Sequence, residues 1–419
     1  MQSIKRKTVV FVESAAAMGG VQFSTLYLVQ TLDPERWRCV VVCPEDGDLV
    51  HACREAGVET HILSQPRLWS TSVRLGGMRL PNPAAWLWDL RLIAKAAAQL
   101  KQFLKQLTPD LVITKGLPSH FLGGFAARKL RTPCVWHVQD LISERNFGIY
   151  RRAFAIAARV LPTRIIADGK SIADQLPQSL QPRTDTILNG VDTNVFSPEV
   201  DGVAAREELG ISADQIVIGH VGRVTPWKGQ HYLIEAFAPL AQANANVTLL
   251  LVGAPVFDND AYQRRLLSTV EQLGLAGRVK FAGYRRDLPA LLAAMDIFAF
   301  TSIEKDTSPL ALLSAMSAGL PVVAFDIAGA RELIASPDQF VLVPVQNVAA
   351  LSEALARVVL DEPLRRQLGN AARAQALDQL SLDRYRNSIE QVFNYALPRA
   401  IAGAAGPLQE VRTAPDLHI

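Results

Sequence analysis

"IVIGHVGRVTPWKGQHYLIEAF", residues 216–237, passes from a β-branched apolar run through a loop carrying glycine and two cations into a helical pattern. Strand, loop and helix in that order make half of a βαβ unit, the building block of parallel sheets. The same unit recurs on both sides of it. Upstream, β-branched runs stand at 8–12 ("TVVFV"), 38–43 ("RCVVVC"), 110–114 ("DLVIT"), 133–138 ("PCVWHV") and 164–167 ("RIIA"). Downstream they stand at 247–252 ("VTLLLV"), 278–283 ("RVKFAG"), 296–300 ("DIFAF"), 321–325 ("PVVAF") and 340–344 ("FVLVP"). Helical patterns lie between them, so each set predicts its own doubly wound parallel sheet.

A chain of 419 residues exceeds what one core usually supports, which agrees with two domains. The turn-rich stretch "NGVDTNVFSP", residues 189–198, separates them, giving a first domain over 1–195 and a second over 196–380. The end, 401–419, is rich in small residues and proline and reads as a flexible tail. With 49% hydrophobic and 20% charged residues the composition is that of a globular protein. No apolar run approaches the roughly 20 residues of a membrane span, and the apolar start ends at Glu13, too soon for a signal peptide. The expected location is cytoplasmic. Cys39, Cys43, Cys53 and Cys134 lack zinc spacing and read as buried free thiols.

Charge is unevenly divided. Residues 1–200 hold 24 Lys and Arg against 17 Asp and Glu, leaving 19 against 23 in the remainder. A nucleic acid, an anionic membrane or a phosphorylated acceptor would each suit the basic half, but no nucleic-acid motif supports the first. Between 67 and 105 the sequence sets Trp69, Trp86 and Trp88 among Arg67, Arg74, Arg79, Arg91, Lys95, Lys101 and Lys105. That pattern fits peripheral contact with an anionic membrane and equally an amphipathic helix with a solvated basic face.

Ligands of open parallel sheets bind beyond the carboxyl ends of the strands. In the loop after 216–221, Gly222 permits close backbone approach, and Arg223 and Lys228 suit a diphosphate beside a helix terminus. Taken alone, the two cations read as well as surface ion pairs. The spacing is not that of the triphosphate-binding GxxxxGK[ST] loop. Gly19 and Gly20 in "MGGV" first suggest a tight turn into the next helix, and His137 at the end of "PCVWHV" a satisfied strand-end histidine. "DND" at 258–260 reads as a loop capping the following helix, without a third oxygen ligand for a metal.

"EKDTSPLALLSAMSAGLPVV", residues 304–323, admits two readings. One is a capped core helix with Ser308 as N-cap and Pro309 at the first helical position. The other is a ligand site, where the free amides near Ser308, Pro309 and Leu310 attract phosphate and Asp306 accepts from sugar hydroxyls.

In order, "MGGV", "WHVQD", "NGVDTNVFSP", "VGRVTPWKGQ", "LVGAP", "FAGYRRDLPALLAAMD", "SPLALLSAMSAGLPVV" and "AGARELI" resemble the retaining GT-B glycosyltransferases of family 4, from about residue 8 to residue 395. The resemblance implies a GT-B fold: two Rossmann-like doubly wound domains facing across a cleft. The first domain would bind the acceptor and the second the nucleotide sugar, with a last helix at about 381–398 crossing back. Arg223 and Lys228 match the pair on the donor diphosphate, and His137 matches a histidine near the sugar. Donor contacts would also come from Gly19, Gly20, Gly222, Gly253, Tyr284, Asp306, Ser308, Pro309, Leu310 and Ser314. The family pattern carries two glutamates eight residues apart, the first on the hexose and the second on the ribose; Asp306 and Ser314 stand there. A serine in place of the ribose carboxylate forfeits about 1–3 kcal/mol of donor affinity. Glu304 is an alternative contact for the sugar.

The implied reaction moves a sugar from a nucleotide-diphosphate sugar to a carbohydrate or lipid-linked acceptor hydroxyl with retention of configuration, using no metal and no cofactor. Competing readings are a GT-B-like sugar-nucleotide epimerase and a sugar-nucleotide-binding protein with weakened catalysis, for which Ser314 is the best argument. A nicotinamide-binding protein fits least, because no GxGxxG opens either half.

Overall fold

The computed structural model describes residues 6–64, 72–75, 78–81, 83–140, 149–256, 259–304, 306–336 and 339–397, with backbone alone within 72–90 and at 149–150. The strands of the first half are β1 (Lys7–Glu13), β2 (Trp37–Cys43), β3 (Glu59–Ile62), β4 (Ser72–Leu75), β5 (Met78–Pro81), β6 (Leu111–Lys115), β7 (Cys134–Val138), β8 (Arg164–Ala167) and β9 (Thr184–Thr186). The second half supplies β10 (Ile216–Val221), β11 (Val247–Val252), β12 (Val279–Gly283), β13 (Ile297–Phe300), β14 (Val322–Phe325) and β15 (Phe340–Val343). Between the first strands run α1 (Gly20–Thr31), α2 (Asp48–Glu55), α3 (Pro83–Leu107), α4 (Leu117–Leu130), α5 (Ile149–Val160) and α6 (Lys170–Ala173). The later helices are α7 (Val203–Glu208), α8 (Gln230–Ala243), α9 (Asp260–Gln272), α10 (Leu288–Ala293), α11 (Leu310–Ser317), α12 (Ala328–Arg331), α13 (Val348–Leu360), α14 (Glu362–Gln379) and α15 (Leu382–Ala396).

Every strand expected from the sequence forms, and they assemble into two parallel sheets, ordered β3-β2-β1-β6-β7-β8-β9 and β12-β11-β10-β13-β14-β15. Both are doubly wound about their first strand, so the order reverses between β1 and β6 and again between β10 and β13. These are the two points where a crevice opens at the strand ends. Helices cover both faces of each sheet, which is why the central strands read as continuous apolar runs instead of alternating ones.

Two edge strands, β3 ("ETHI") and β9 ("TDT"), are absent from the sequence reading. They are short and polar, and only the neighbouring strand makes them strands. Of the basic stretch 67–105, residues 67–71, 76, 77 and 82 lie outside the described residues. The remainder is not one amphipathic helix: β4 and β5 pair antiparallel, with Arg74 opposite Arg79, before α3 begins. Asp258 of "DND" and the tail 401–419 also lie outside the described residues. Among the described residues no helix is long and apolar enough to cross a membrane, and the four cysteines are free thiols.

The chain passes between the sheets twice. It leaves the first at 187–198 and returns after α14, whose Ala372 and Ala376 belong to the core of the second sheet. Helix α15 then buries Tyr385, Ile389, Val392 and Phe393 in the core on one face of the first sheet, beside α1. The two crossing segments pair with each other. Val191 N–H donates to Leu380 O at 2.9 Å and Leu382 N–H to Val191 O at 2.8 Å. Gly190 makes this approach possible, since a Cβ there would lie 2.6 Å from Tyr385 Cβ and 2.9 Å from Leu382 Cα.

Phe393 stands edge-on to Trp37 of β2, ring centroids 5.5 Å apart, and both side chains are fully buried. Phe393→Ala is therefore expected to cost about 3–5 kcal/mol, the range for emptying a buried aromatic site, measured by urea unfolding. A loss under about 1 kcal/mol would show that α15 is not part of the first core.

Candidate active site

At the second switch point the backbone after β10 continues straight on instead of turning into its helix. Gly222 N–H donates to Val252 O at 3.0 Å and Val224 N–H to Ala254 O at 2.9 Å, while Gly253 N–H reaches Gly283 O at 2.8 Å. Gly253 is fixed by this zipping: its φ is +140° and a Cβ would fall 1.9 Å from Gly222 O. Gly222 is under no such packing demand, because a Cβ there would meet His220 and Lys228 at an ordinary 3.4 Å. A short turn, 226–228, then leads to Gly229, whose φ of +72° and closeness to Thr301 O exclude a side chain. Thr301 Oγ1 donates to Lys228 O at 3.0 Å and Ile303 N–H to Trp227 O at 2.9 Å, tying the loop to the end of β13.

That tie brings two residues named from the sequence into contact. Lys228 Nζ lies 2.6 Å from Asp306 Oδ2, with the two side chains only 10% and 13% exposed. The Lys228 ammonium also sits 4.6 Å from the centre of the Trp227 ring, whose other neighbour is the Arg223 guanidinium at 5.4 Å. Arg223 faces the first domain as well. Asp140, beyond β7, has its carboxyl pushed up by its surroundings and drawn back down by the charge of Arg223.

Helix α11 begins one residue later than the sequence reading has it. Leu310 is its first residue and Pro309 caps it, with Leu312 and Leu313 N–H donating to Pro309 O. Ser308 is not the N-cap; it lies one residue before it, and its Oγ accepts from Asn189 N–H at 2.8 Å. The amides of Leu310 and Ala311 have no acceptor within the helix, as at any helix start. Ser314 lies on the buried side of α11, 5% exposed. Gly329 of α12 packs against the backbone at 306–307, where a Cβ would sit 1.9 Å from Asp306 O. Tyr284, just past β12, presents an exposed ring, 58% open to solvent.

Gly19, Gly20 and His137 belong to the first domain. Gly19 precedes α1 in extended conformation and Gly20 opens the helix with nothing within 4 Å of a Cβ, so neither glycine is required by a tight turn. His137 is buried on β7; burial, and then the charge of Lys115, hold its imidazole neutral with a pKa well below the ordinary value, and its Nε2 has no hydrogen-bond partner among the described residues.

Several polar groups at these strand ends escaped the sequence reading. At the first switch point Glu13 of β1 stands in register with Lys115 of β6, both completely buried. Burial raises Glu13 to about 7 against the pull of Lys115 and a hydrogen bond from Thr25, and lowers Lys115 to about 8 against Glu13 and Asp168. Asp168, after β8, is likewise raised by burial to about 8. In the second domain His220 Nδ1–H donates to Ala299 O at 3.0 Å, and burial depresses its pKa to about 4. A charged or polar residue closing an apolar strand was the available signal for Glu13, Lys115 and His220. Gln139 and Asn189 lie in the quoted motifs "WHVQD" and "NGVDTNVFSP" without a role assigned to either, and Asp168, a loop aspartate, gave no signal.

No group of three or more His, Cys, Asp or Glu that could hold a metal ion exists among the described residues.

The sequence model of the family described as Glycosyl transferases group 1 matches residues 203–375, and that of Glycosyltransferase Family 4 matches 18–195. The chain is 28% identical over 284 residues, 64% of its length and 71% of the relative's, to the UDP-Gal:alpha-D-GlcNAc-diphosphoundecaprenol alpha-1,3-galactosyltransferase of Escherichia coli. It is 32% identical over 189 residues to the D-inositol 3-phosphate glycosyltransferase of Stackebrandtia nassauensis, 44% of this chain and 42% of that one. Against several curated relatives the chain thus spans about half their length. In three dimensions it is similar to Anabaena Alr3699/HepE, solved in complex with UDP and glucose, at a TM-score of 0.78 and 26% identity over 93% of this chain and 100% of that one. Two matched family models across both halves, and the paired Rossmann-like sheets that carry them, mean that the chain belongs to the GT-B glycosyltransferases of group 1 and family 4.

Proposed function

We propose that the protein transfers a hexose from a nucleotide-diphosphate sugar to an acceptor hydroxyl, with retention of configuration and without a metal. The observation that carries this reading is the cationic loop of Arg223 and Lys228 set beside the start of α11, with Asp306 against Lys228. A diphosphate leaving the anomeric carbon develops charge on its β-phosphate through an oxocarbenium-like transition state. Arg223, Lys228 and the amides of Leu310 and Ala311 are the groups that would meet that charge. Asp306 would serve twice: its carboxylate holds the Lys228 ammonium in place, and its remaining lone pairs can accept from sugar hydroxyls.

Retention follows if the acceptor attacks from the face the phosphate leaves, a phosphate oxygen then taking the acceptor proton. His137, neutral and buried at the end of β7, is suited to hydrogen-bonding near the sugar and not to carrying charge. Nucleotide diphosphate as the leaving group is supported by the UDP complex of the Anabaena neighbour, and a carbohydrate or lipid-linked acceptor by the name of the E. coli relative.

Arg223→Ala and Lys228→Ala are each expected to lower turnover by about 10²-fold or more, the scale of one lost transition-state contact. Lys228→Ala also leaves the Asp306 carboxylate without its partner, so its turnover is compared below the melting temperature of both proteins. Transfer within threefold of wild type in both variants would remove the assignment.

Transfer in excess EDTA is expected to proceed at the untreated rate, and proton NMR of the product to show the anomeric configuration of the donor. Activity lost to EDTA and restored by Mg²⁺ or Mn²⁺, or an inverted product, would overturn the corresponding part of the mechanism.

A further inference from the structure

We infer that Asn189, in the crossover between the domains, is a positioning residue for the donor loop: it fixes Ser308, and with it the start of α11, to the carboxyl end of the first sheet. The inference rests on the donor site proposed above. Asn189 is 4% exposed and every hydrogen-bonding group it carries on the donor side is spent. Its backbone N–H donates to Ser308 Oγ at 2.8 Å. Its Nδ2 divides two protons between Ser308 O and Asp168 Oδ2, each at 3.0 Å. Its Oδ1 accepts from Gln139 Nε2 at 3.3 Å. Gln139 meets the same loop again, its backbone carbonyl accepting from Thr307 Oγ1 at 3.1 Å.

The loop that precedes α11 is therefore held from both sides. Its own domain grips Asp306 through Lys228 and Gly329, while the first domain grips Thr307 and Ser308 through Gln139 and Asn189. Helix α11 has no side-chain cap of its own, so these bonds set where its first amides point. Only an asparagine meets all the requirements at position 189. Aspartate lacks the N–H pair that bridges Ser308 O and Asp168, and shorter polar side chains cannot donate to both acceptors while accepting from Gln139. Gly190 leaves no freedom to move the segment outward and accommodate a longer side chain, because it is already pressed against the returning chain at 381–385.

The test uses the full chain and three variants: Asn189→Ala, Asn189→Asp, and the exchange that combines Asn189→Asp with Asp168→Asn. The exchange keeps an amide facing a carboxyl across the 168–189 pair, but position 189 no longer has an N–H for Ser308 O. Binding of UDP, with ADP and GDP alongside, is measured by calorimetry, and thermal unfolding on the same samples. Both single variants are expected to weaken binding of the preferred nucleotide at least tenfold. The exchange should recover most of the lost melting temperature while binding stays weak, which a merely structural role for Asn189 would not produce. Binding by Asn189→Ala within twofold of wild type, or an exchange variant that regains affinity together with stability, would overturn the inference and leave the donor site standing. Should Asn189→Ala fail to fold, the exchange variant alone decides. A wild-type protein that binds none of the three nucleotides would instead overturn the donor site, and this inference with it.

Discussion

Two short pieces of chain, 189–191 and 380–382, touch where the protein passes from one sheet to the other, and the relation between the sheets hangs on that contact. Two backbone hydrogen bonds and the absent side chain of Gly190 bring them together. With both crossings joined at one place, the carboxyl ends of the two sheets are held facing each other. Hydrogen bonds then span them: Asn189 to Ser308, Gln139 to Thr307, and the Glu332 carboxylate accepting from the backbone N–H groups of Lys170 and Ser171. The last of these needs a glycine too, since a Cβ on Gly169 would lie 2.4 Å from Glu332 Oε2. Its carboxylate stands at the start of α6 and so stabilises both the helix end and the domain contact.

The two switch points use buried charge differently. In the first domain Glu13, Lys115 and Asp168 are sealed from water, and burial pushes each toward its uncharged form. Lys115 Nζ bonds Ser24 Oγ, which in turn meets Tyr385 of the returning helix, so this cluster also ties α15 to the first sheet. In the second domain Lys228 and Asp306 keep a small opening to solvent and stand as an ion pair. A lysine with Arg223 for company suits a diphosphate.

Much of the fold was legible in the sequence because a strand covered by helices on both faces must be apolar throughout. Runs such as "VTLLLV" and "TVVFV" have no other reasonable fate, and the helical stretches between them leave only parallel sheets. The two edge strands of the first sheet were not legible: "ETHI" and "TDT" are half-wet and polar, and pairing with β2 and β8 alone makes them strands. At the site, Lys228 was singled out from its place after a strand, and Gly253 through the family resemblance alone. The start of α11 was misjudged by one residue because Ser308 has the right chemistry for a cap, and only the folded chain shows Asn189 taking its hydroxyl.

By itself, the sequence determined two doubly wound halves and the loops that close each strand, since apolar periodicity and glycine placement are local facts. Tertiary structure decided which polar residues act together. Lys228 and Asp306 are 78 positions apart and Asn189 and Ser308 are 119 apart. Nothing in the neighbourhood of any of these four residues specifies its partner. The physical reason is that the Lys228–Asp306 pair exists only once β10 and β13 lie side by side in the second sheet, and the Asn189–Ser308 bond only once the crossing at Gly190 has brought the carboxyl ends of the two sheets together.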